Sequence, residues 1–185
     1  NDGTVILAFT VESQAPNGAK IKGGTSTGKN SIEELTDRRF GENDFKFTTN
    51  QIWTVYPDGS VELQSSITSN RPSLVLPRLG YVMKVPQQYA DFTYYGRGPI
   101  DNYADRKSGQ FIEQHRNTVA GEFVNFPKPQ DMGNHEDVRW CALTDPDGEG
   151  AVFVATDRLS VSALQYSALD LIQASHPYQL PVAGD

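Results

Sequence analysis

An all-β fold, mostly antiparallel, is predicted by three features of this chain. Alternation of apolar and polar residues dominates over helical spacing, turn residues recur at short intervals, and two apolar runs are joined through a Pro-Asp-Gly turn. The composition is compatible with a packed core: of 185 residues 37% are hydrophobic, with 8 Tyr, 9 Phe and 2 Trp. No internal repeat or long linker divides the chain, so residues 1–185 read as a single β-sandwich domain.

Taken in order, residues 4–11 alternate as a strand. Residues 14–31 carry Gly18, Gly23, Gly24 and Gly28 among Ser, Thr, Asn and Lys, the composition of a flexible loop. The clearest element is a hairpin, Ile52 to Tyr56 against Ser60 to Gln64. In its turn Pro57 presets φ, and Gly59 accepts the positive φ that other residues resist. Val61, Leu63 and Ile67 are then expected inward, with Glu62 and Gln64 toward water. Strands are expected at 74–85, 89–95, 121–126 and 160–166. A second hairpin joins Asp137–Leu143 to Gly150–Ala155 through Asp145-Pro146-Asp147-Gly148-Glu149, and its apolar arms read as central strands. Leu169 to Ser175 suits a single helical turn.

Charge narrows the partners. Sixteen basic against twenty-three acidic side chains leave a net charge of -7, and the densest basic pair, Arg38 and Arg39, sits among Glu33, Glu34, Asp37 and Glu42. A phosphate backbone has no basic patch to meet, which argues against nucleic acid. No run approaches the ~20 apolar residues of a membrane helix, and the first residues lack the basic-then-apolar pattern of a signal peptide. The single Cys141 lies in an apolar run and reads as a small core residue.

Several short motifs fail as sites. Gly96-Arg97-Gly98 follows a strand, but Asp101 holds the third glycine position of a dinucleotide loop and Pro99 intervenes; close backbone packing at a tight turn explains the glycines better. His135, Glu136 and Asp137 are adjacent on an expected strand, where neighbours point to opposite faces, so they do not converge on a metal. Asp145, Asp147 and Glu149 open like a calcium loop, yet Thr156 stands at the twelfth position, and a hairpin turn accounts for them. Gly-x-Ser-x-Gly is absent. The chemistry of single residues stops at an all-β domain.

Longer segments go further. Tyr94-Tyr95-Gly96-Arg97-Gly98-Pro99-Ile100-Asp101-Asn102-Tyr103-Ala104-Asp105-Arg106 resembles the Trp-Tyr-Gly-Arg-Gly-Pro-x-Glu-Asn-Tyr-x-Asp-Arg segment in the C-terminal β-sandwich domain of the large bacterial β-galactosidases, glycoside hydrolase family 2. Pro129 to Trp140 is similar to that family's Pro-Gln-Glu-x-Gly-Asn-x-x-Asp-Val-Arg-Trp stretch, with Asp131 in place of Glu. The turn at 56–60 and the Ser-Ala-Leu-Gln-Tyr-Ser run at 162–167 also fit, so the resemblance covers about residues 50–181, while 1–49 match weakly.

The resemblance implies a galactose-mutarotase-like β-supersandwich. It also implies that the two catalytic glutamates of a retaining β-galactosidase belong to a separate TIM barrel, so no catalytic residue and no metal site transfers to this chain. No cofactor is expected within it; Mg or Na would serve the parent enzyme elsewhere. The family's substrate-contacting Trp sits in a Gly-x-Asp-x-Ser-Trp segment that does not precede Asp185, so neither Trp53 nor Trp140 takes its role.

Candidates for contact with sugar or with the barrel are Arg97, Asn102, Arg106, Asn134, His135, Asp137 and Arg139. A structural role for Asn102 and Arg106 competes, with the amide and guanidinium satisfying backbone groups and Asp105 orienting Arg106. The implied partners are the catalytic barrel and other domains of a bacterial parent chain, its β-galactoside substrate, and a second copy in a homo-oligomer; the compartment would be cytoplasm or periplasm. Two other functions compete: a carbohydrate-binding module stacking sugar on Tyr94, Tyr95, Tyr103 or Trp140, and a free-standing epimerase using His115, His135 or His176 with a carboxylate. The family's domain extends past both ends of this chain, so unpaired sheet edges and exposed apolar surface are expected.

Overall fold

The computed structural model describes residues 2–15, 21–22, 31–32, 45–73, 75–76 and 78–182. Most of the glycine-rich segment expected as a loop at 14–31 lies outside the described residues, although a strand runs through Gln14 and Ala15. The class is all-β, and the two larger sheets are antiparallel throughout. Two compact units divide the chain, the first ending at Tyr81 and the second resuming at Val82.

In the first unit, β1 (Val5–Ala15), β4 (Phe45–Val55) and β5 (Val61–Ser69) form a three-stranded sheet in the order β1-β4-β5. Two-residue strands β2 (Ile21–Lys22) and β3 (Ser31–Ile32) pair with each other. The first predicted hairpin forms as read: Val55 opposes Val61, Tyr56 N–H donates to Ser60 O at 2.9 Å, and Gly59 takes φ 86°. Asp58 Oδ1 accepts from both Ser60 N and Ser60 Oγ, locking the turn. Leu63 and Ile67 are half-buried, but Val61 is exposed, because it sits at the hairpin end of a strand with one neighbour.

The strand expected at 74–85 does not form among the described residues. Pro72, Pro77 and Pro86 punctuate this stretch, and proline has no N–H to give a ladder. Its first part lies instead beside the sheet: Leu76 and Leu79 line a cleft with Phe45, Phe47 and Ile67, and the Tyr81 hydroxyl meets Ser65 Oγ and accepts from Gln51 Nε2 at 3.3 Å.

The second unit holds a four-stranded sheet, order β7-β6-β8-β9, from β6 (Asp91–Gly98), β7 (Phe111–Thr118), β8 (Asn134–Thr144) and β9 (Gly150–Ser162). The second predicted hairpin is β8–β9, and Asp145 Oδ1 closes its turn by accepting from Asp147 N at 3.0 Å and Glu149 N at 2.9 Å. Of the hairpin's two arms β8 is central, whereas β9 has one neighbour, and Val152 and Val154 stand 65% and 75% exposed on it. The strand expected at 121–126 is a single 3-10 turn, Ala120–Glu122, followed by irregular chain, and the one expected at 160–166 ends at Ser162. The helical turn is α1 (Ala168–Gln173). Ser167 caps it, with Ser167 Oγ accepting from Asp170 N and the Asp170 carboxylate accepting from Ser167 N.

One face of this sheet makes the core: Phe92, Tyr94, Val138, Cys141, Leu143 and Ala163, with Tyr89, Val119, Phe153 and Val161 against it. Burial pushes the Cys141 thiol up to about 11, consistent with an inert core residue. The glycines of Gly96-Arg97-Gly98 lie within β6 rather than on a turn, and close packing explains them. A Cβ on Gly96 would fall 2.6 Å from Val138 Cγ2 and 2.9 Å from Val138 Cα, and one on Gly98 would meet the Tyr94 hydroxyl and His115 Cδ2. Gly96→Ala therefore forces the β6–β8 backbones apart. A loss of about 2 kcal/mol in urea unfolding is expected, and a loss below about 0.5 kcal/mol would contradict the packing argument.

Candidate functional site

Six of the seven candidate residues come together where β6 ends, the loop 99–110 begins and β8 starts. The organiser is Asn102, wholly buried. Its Nδ2 donates to Arg97 O at 2.8 Å and Ile100 O at 3.0 Å, its Oδ1 accepts from Glu136 N at 2.9 Å, and its backbone N–H donates to Asn134 O at 2.6 Å. Asn134 returns the contact, donating from Nδ2 to Asn102 O at 2.7 Å and to Glu136 Oε1 at 3.0 Å. An irregular loop cannot satisfy its own backbone, and a short amide with two donors and an acceptor does it here.

Beside this knot lies a charged cluster. Arg97 Nε donates to Asp137 Oδ2 at 2.8 Å and its Nη1 to Gln110 O at 3.0 Å. Lys107 Nζ reaches Glu136 Oε2 at 3.2 Å and Asp137 Oδ2 at 3.5 Å, and Arg158 lies 3.7 Å from Asp137 Oδ1. The rule that neighbours alternate fails at this point, since Glu136 and Asp137 share Lys107. The cause is a bulge: the β8–β9 register shifts between His135 and Trp140, and Asp137 takes φ 57°. Arg139 Nη1 donates to the Asp137 carbonyl at 2.5 Å, and its guanidinium sits over the Tyr95 ring at 5.9 Å.

The hydrogen bond from Arg97 holds the Asp137 carboxyl below its ordinary range; partial burial opposes it and Lys107 adds to it. Burial works to raise Glu136, but hydrogen bonds from Ser160, Asn134 and Lys107 outweigh it and leave that carboxyl lowered too. A depressed folded-state pKa gives stability that is complete above the ordinary carboxylate value of about 4 and is lost as pH falls through the folded value. The destabilisation caused by Asp137→Asn is thus expected to shrink as unfolding is measured from pH 7 down to pH 3. An effect independent of pH would count against the pairing.

The third component is sealed in the core. His135 is wholly buried, its ring stacked on Tyr94 at 4.2 Å. Its Nε2 meets Glu122 Oε2 at 2.7 Å, its Nδ1 faces Arg97 O at 3.3 Å, and Glu122 Oε1 accepts from Asn117 Nδ2 at 2.6 Å. Burial, with Glu122 close by, raises the Tyr94 phenol above its ordinary value. Glu122 carries no motif that sequence reasoning could have used; it lies in the segment read as a strand.

Arg106 stands apart, and its partner differs from the expected Asp105. Its Nη2 donates to Asp101 Oδ1 at 2.9 Å while its guanidinium covers Tyr103 at 5.4 Å, and Asp105 is exposed. Burial, with Asp131 beside it, pushes the Tyr103 phenol up. Among the aromatics considered for sugar stacking, Tyr94 belongs to the core and Tyr95 carries Arg139 on its ring. Of the three histidines, His115 and His135 both pack on the Tyr94 ring, His135 also pairing with Glu122, while His176 stacks on Tyr178.

Comparison with known proteins bears on this arrangement. A family model described as β-galactosidase small chain matches residues 9–184, beginning well before the motif resemblance at residue 50. The chain is 31% identical over 131 residues to a β-galactosidase of Priestia megaterium, covering 71% of this chain and 13% of the relative. It is 33% identical over 133 residues to that of Halalkalibacterium halodurans (70% and 13%), and 32% over 123 residues to that of Lactobacillus delbrueckii subsp. bulgaricus (66% and 12%). The chain therefore spans about an eighth of the length of these curated relatives. With a match that runs over nearly all of its residues, the chain belongs to the β-galactosidase small-chain family.

Proposed function

We infer that the chain serves as an accessory domain of a larger β-galactosidase that hydrolyses terminal non-reducing β-D-galactosides, packing on a catalytic TIM barrel and helping to shape its substrate pocket. The observation that carries this reading is the family match over residues 9–184 in a chain that spans 13% of its first relatives. The barrel supplies the two carboxyls of a retaining mechanism, which need a separation of about 5 Å across the glycosidic bond. Metals such as Mg or Na act in the parent outside this chain, and the parent works as a homo-oligomer in bacterial cytoplasm or periplasm. The domain's complete form in this reading is the galactose-mutarotase-like supersandwich.

The inward-turned site supports an accessory role. Asn102, Asn134 and His135 spend their hydrogen bonds on the β6–β8 junction, so they shape a scaffold. Arg106, with 60% of its side chain exposed, and Arg139 at the sheet surface are the candidates for touching sugar or barrel. The experiment is turnover of a chromogenic β-galactoside by the parent enzyme and by the isolated 185-residue chain. Activity in the parent alone is expected, and turnover by the isolated chain overturns the reading.

A further inference from the structure

Basic residues are scattered through the sequence, yet the second unit gathers four of them around a single residue, Asp137. Its Oδ2 accepts from Arg97 Nε at 2.8 Å and lies 3.5 Å from Lys107 Nζ, its Oδ1 lies 3.7 Å from Arg158 Nη1, and its carbonyl accepts from Arg139 Nη1. The four come from β6, the loop 99–110, β8 and β9. Two further carboxylates join them: Glu136 at Lys107, and the exposed Asp157, 3.3 Å from Arg158 Nε. Four cations thus meet three carboxylates among the described residues, a local positive excess in a chain of net charge -7.

The excess sits on Arg139. This half-buried side chain pairs with no carboxylate among the described residues; its partners are the Asp137 carbonyl and the face of the Tyr95 ring. A charge taken partly out of water is ordinarily paired with its opposite. Arg139 Nε and Nη2 make no hydrogen bond among the described residues, and neither does Arg97 Nη2. Tyr95 and Arg97 alternate with the buried Tyr94 and Gly96, so the Arg139 guanidinium, lying over Tyr95, stands on the same face of the sheet as Arg97. Asp137 and the Tyr95 ring hold these donors in place before any ligand arrives, which lowers the entropy cost of binding one.

We propose that Arg139, Arg97 and Arg158 form a binding site for the phosphate group of a small ligand. One guanidinium fork saturates the two oxygens of a carboxylate. Here guanidiniums from three strands surround Asp137, and a phosphate group offers them three acceptor oxygens and up to two negative charges. The site lies wholly within the second unit and concerns binding alone, so it stands apart from the reading of the chain as part of a β-galactosidase.

Titration calorimetry with inorganic phosphate tests it, in the 185-residue chain and in the parent enzyme, in chloride buffer at constant ionic strength, with circular dichroism confirming each fold. Saturable binding with a Kd on the order of 1 mM is expected in both. Arg139→Gln is expected to weaken it by about tenfold or more, and Arg139→Lys by less, because the charge stays and the fork goes. Arg116→Gln takes the same charge from β7 opposite Thr93 and is expected to leave the affinity unchanged. Trp140 fluorescence in a Trp53→Phe chain needs no arginine variant: Trp140 opposes Tyr95, and a saturable change with the calorimetric midpoint is expected. Absence of saturable heat overturns the proposal, as does heat without a fluorescence change, which puts the anion elsewhere. An equal loss in Arg139→Gln and Arg116→Gln overturns it in favour of diffuse charge. Acetate binding more tightly than phosphate overturns it in favour of a carboxylate. Binding by the 185-residue chain that is absent from the parent overturns it in favour of an acidic side chain of the parent.

Discussion

Asn102→Ala is expected to destabilise the second unit by about 3 kcal/mol, the effect of one small side chain that closes an irregular junction. Truncation removes the donor to Arg97 O and Ile100 O and the acceptor of Glu136 N, while Arg97 O keeps its contact with His135 Nδ1. A buried polar group left unsatisfied costs about 1–3 kcal/mol, and two lose their partner here in a site with no solvent access to the side chain. Asn102→Asp is expected to be worse, because a carboxylate oxygen would then face two carbonyls. Urea unfolding followed by Trp140 fluorescence in a Trp53→Phe background isolates this unit, since Trp140 lies on β8 and Trp53 on β4. A loss below about 1 kcal/mol would mean that water replaces the amide and that the junction does not depend on it. In the parent enzyme the same variant should lower β-galactosidase activity in proportion to the folded fraction, leaving KM unchanged.

The hairpins were legible in the sequence because local chemistry decides them. Pro57-Asp58-Gly59 and the Asp145 turn carry their own hydrogen bonds, and the alternation on either side fixes the register. Strand β7 was not legible: Phe111 to Thr118 has a polar sequence, Phe-Ile-Glu-Gln-His-Arg-Asn-Thr, and it becomes a strand because β6 offers an edge. The reverse holds at 121–126, where strand-like residues have no neighbour to pair with and the chain turns. In the site, the two long motifs located Arg97, Asn102, Asn134 and Asp137, but not what they do. The bulge at Asp137 inverts the expected alternation, and the Glu122 partnership with His135 spans 13 residues through the fold. Neither leaves a trace in spacing.

Breaking that partnership gives the other large effect. His135→Leu is expected to cost about 3–5 kcal/mol, because it strands the Glu122 carboxyl in the core with Asn117 as its one remaining partner. Glu122→Leu alone strands the imidazole nitrogen and the Asn117 amide in the same way, and it also cuts the tie between the 3-10 turn and β8. The double variant His135→Leu/Glu122→Leu removes both polar ends and fills the space with apolar volume packed against Phe92 and Tyr94. It should therefore be more stable than the sum of the single losses by at least about 1 kcal/mol, the signature of a direct contact in a double-mutant cycle. Additive losses would show that the two side chains are held independently by their neighbours. Recovery of stability in the double variant would assign the pair to fixing the β6–β8 junction. An epimerase built on His135 predicts the opposite, a stable protein whose activity never returns.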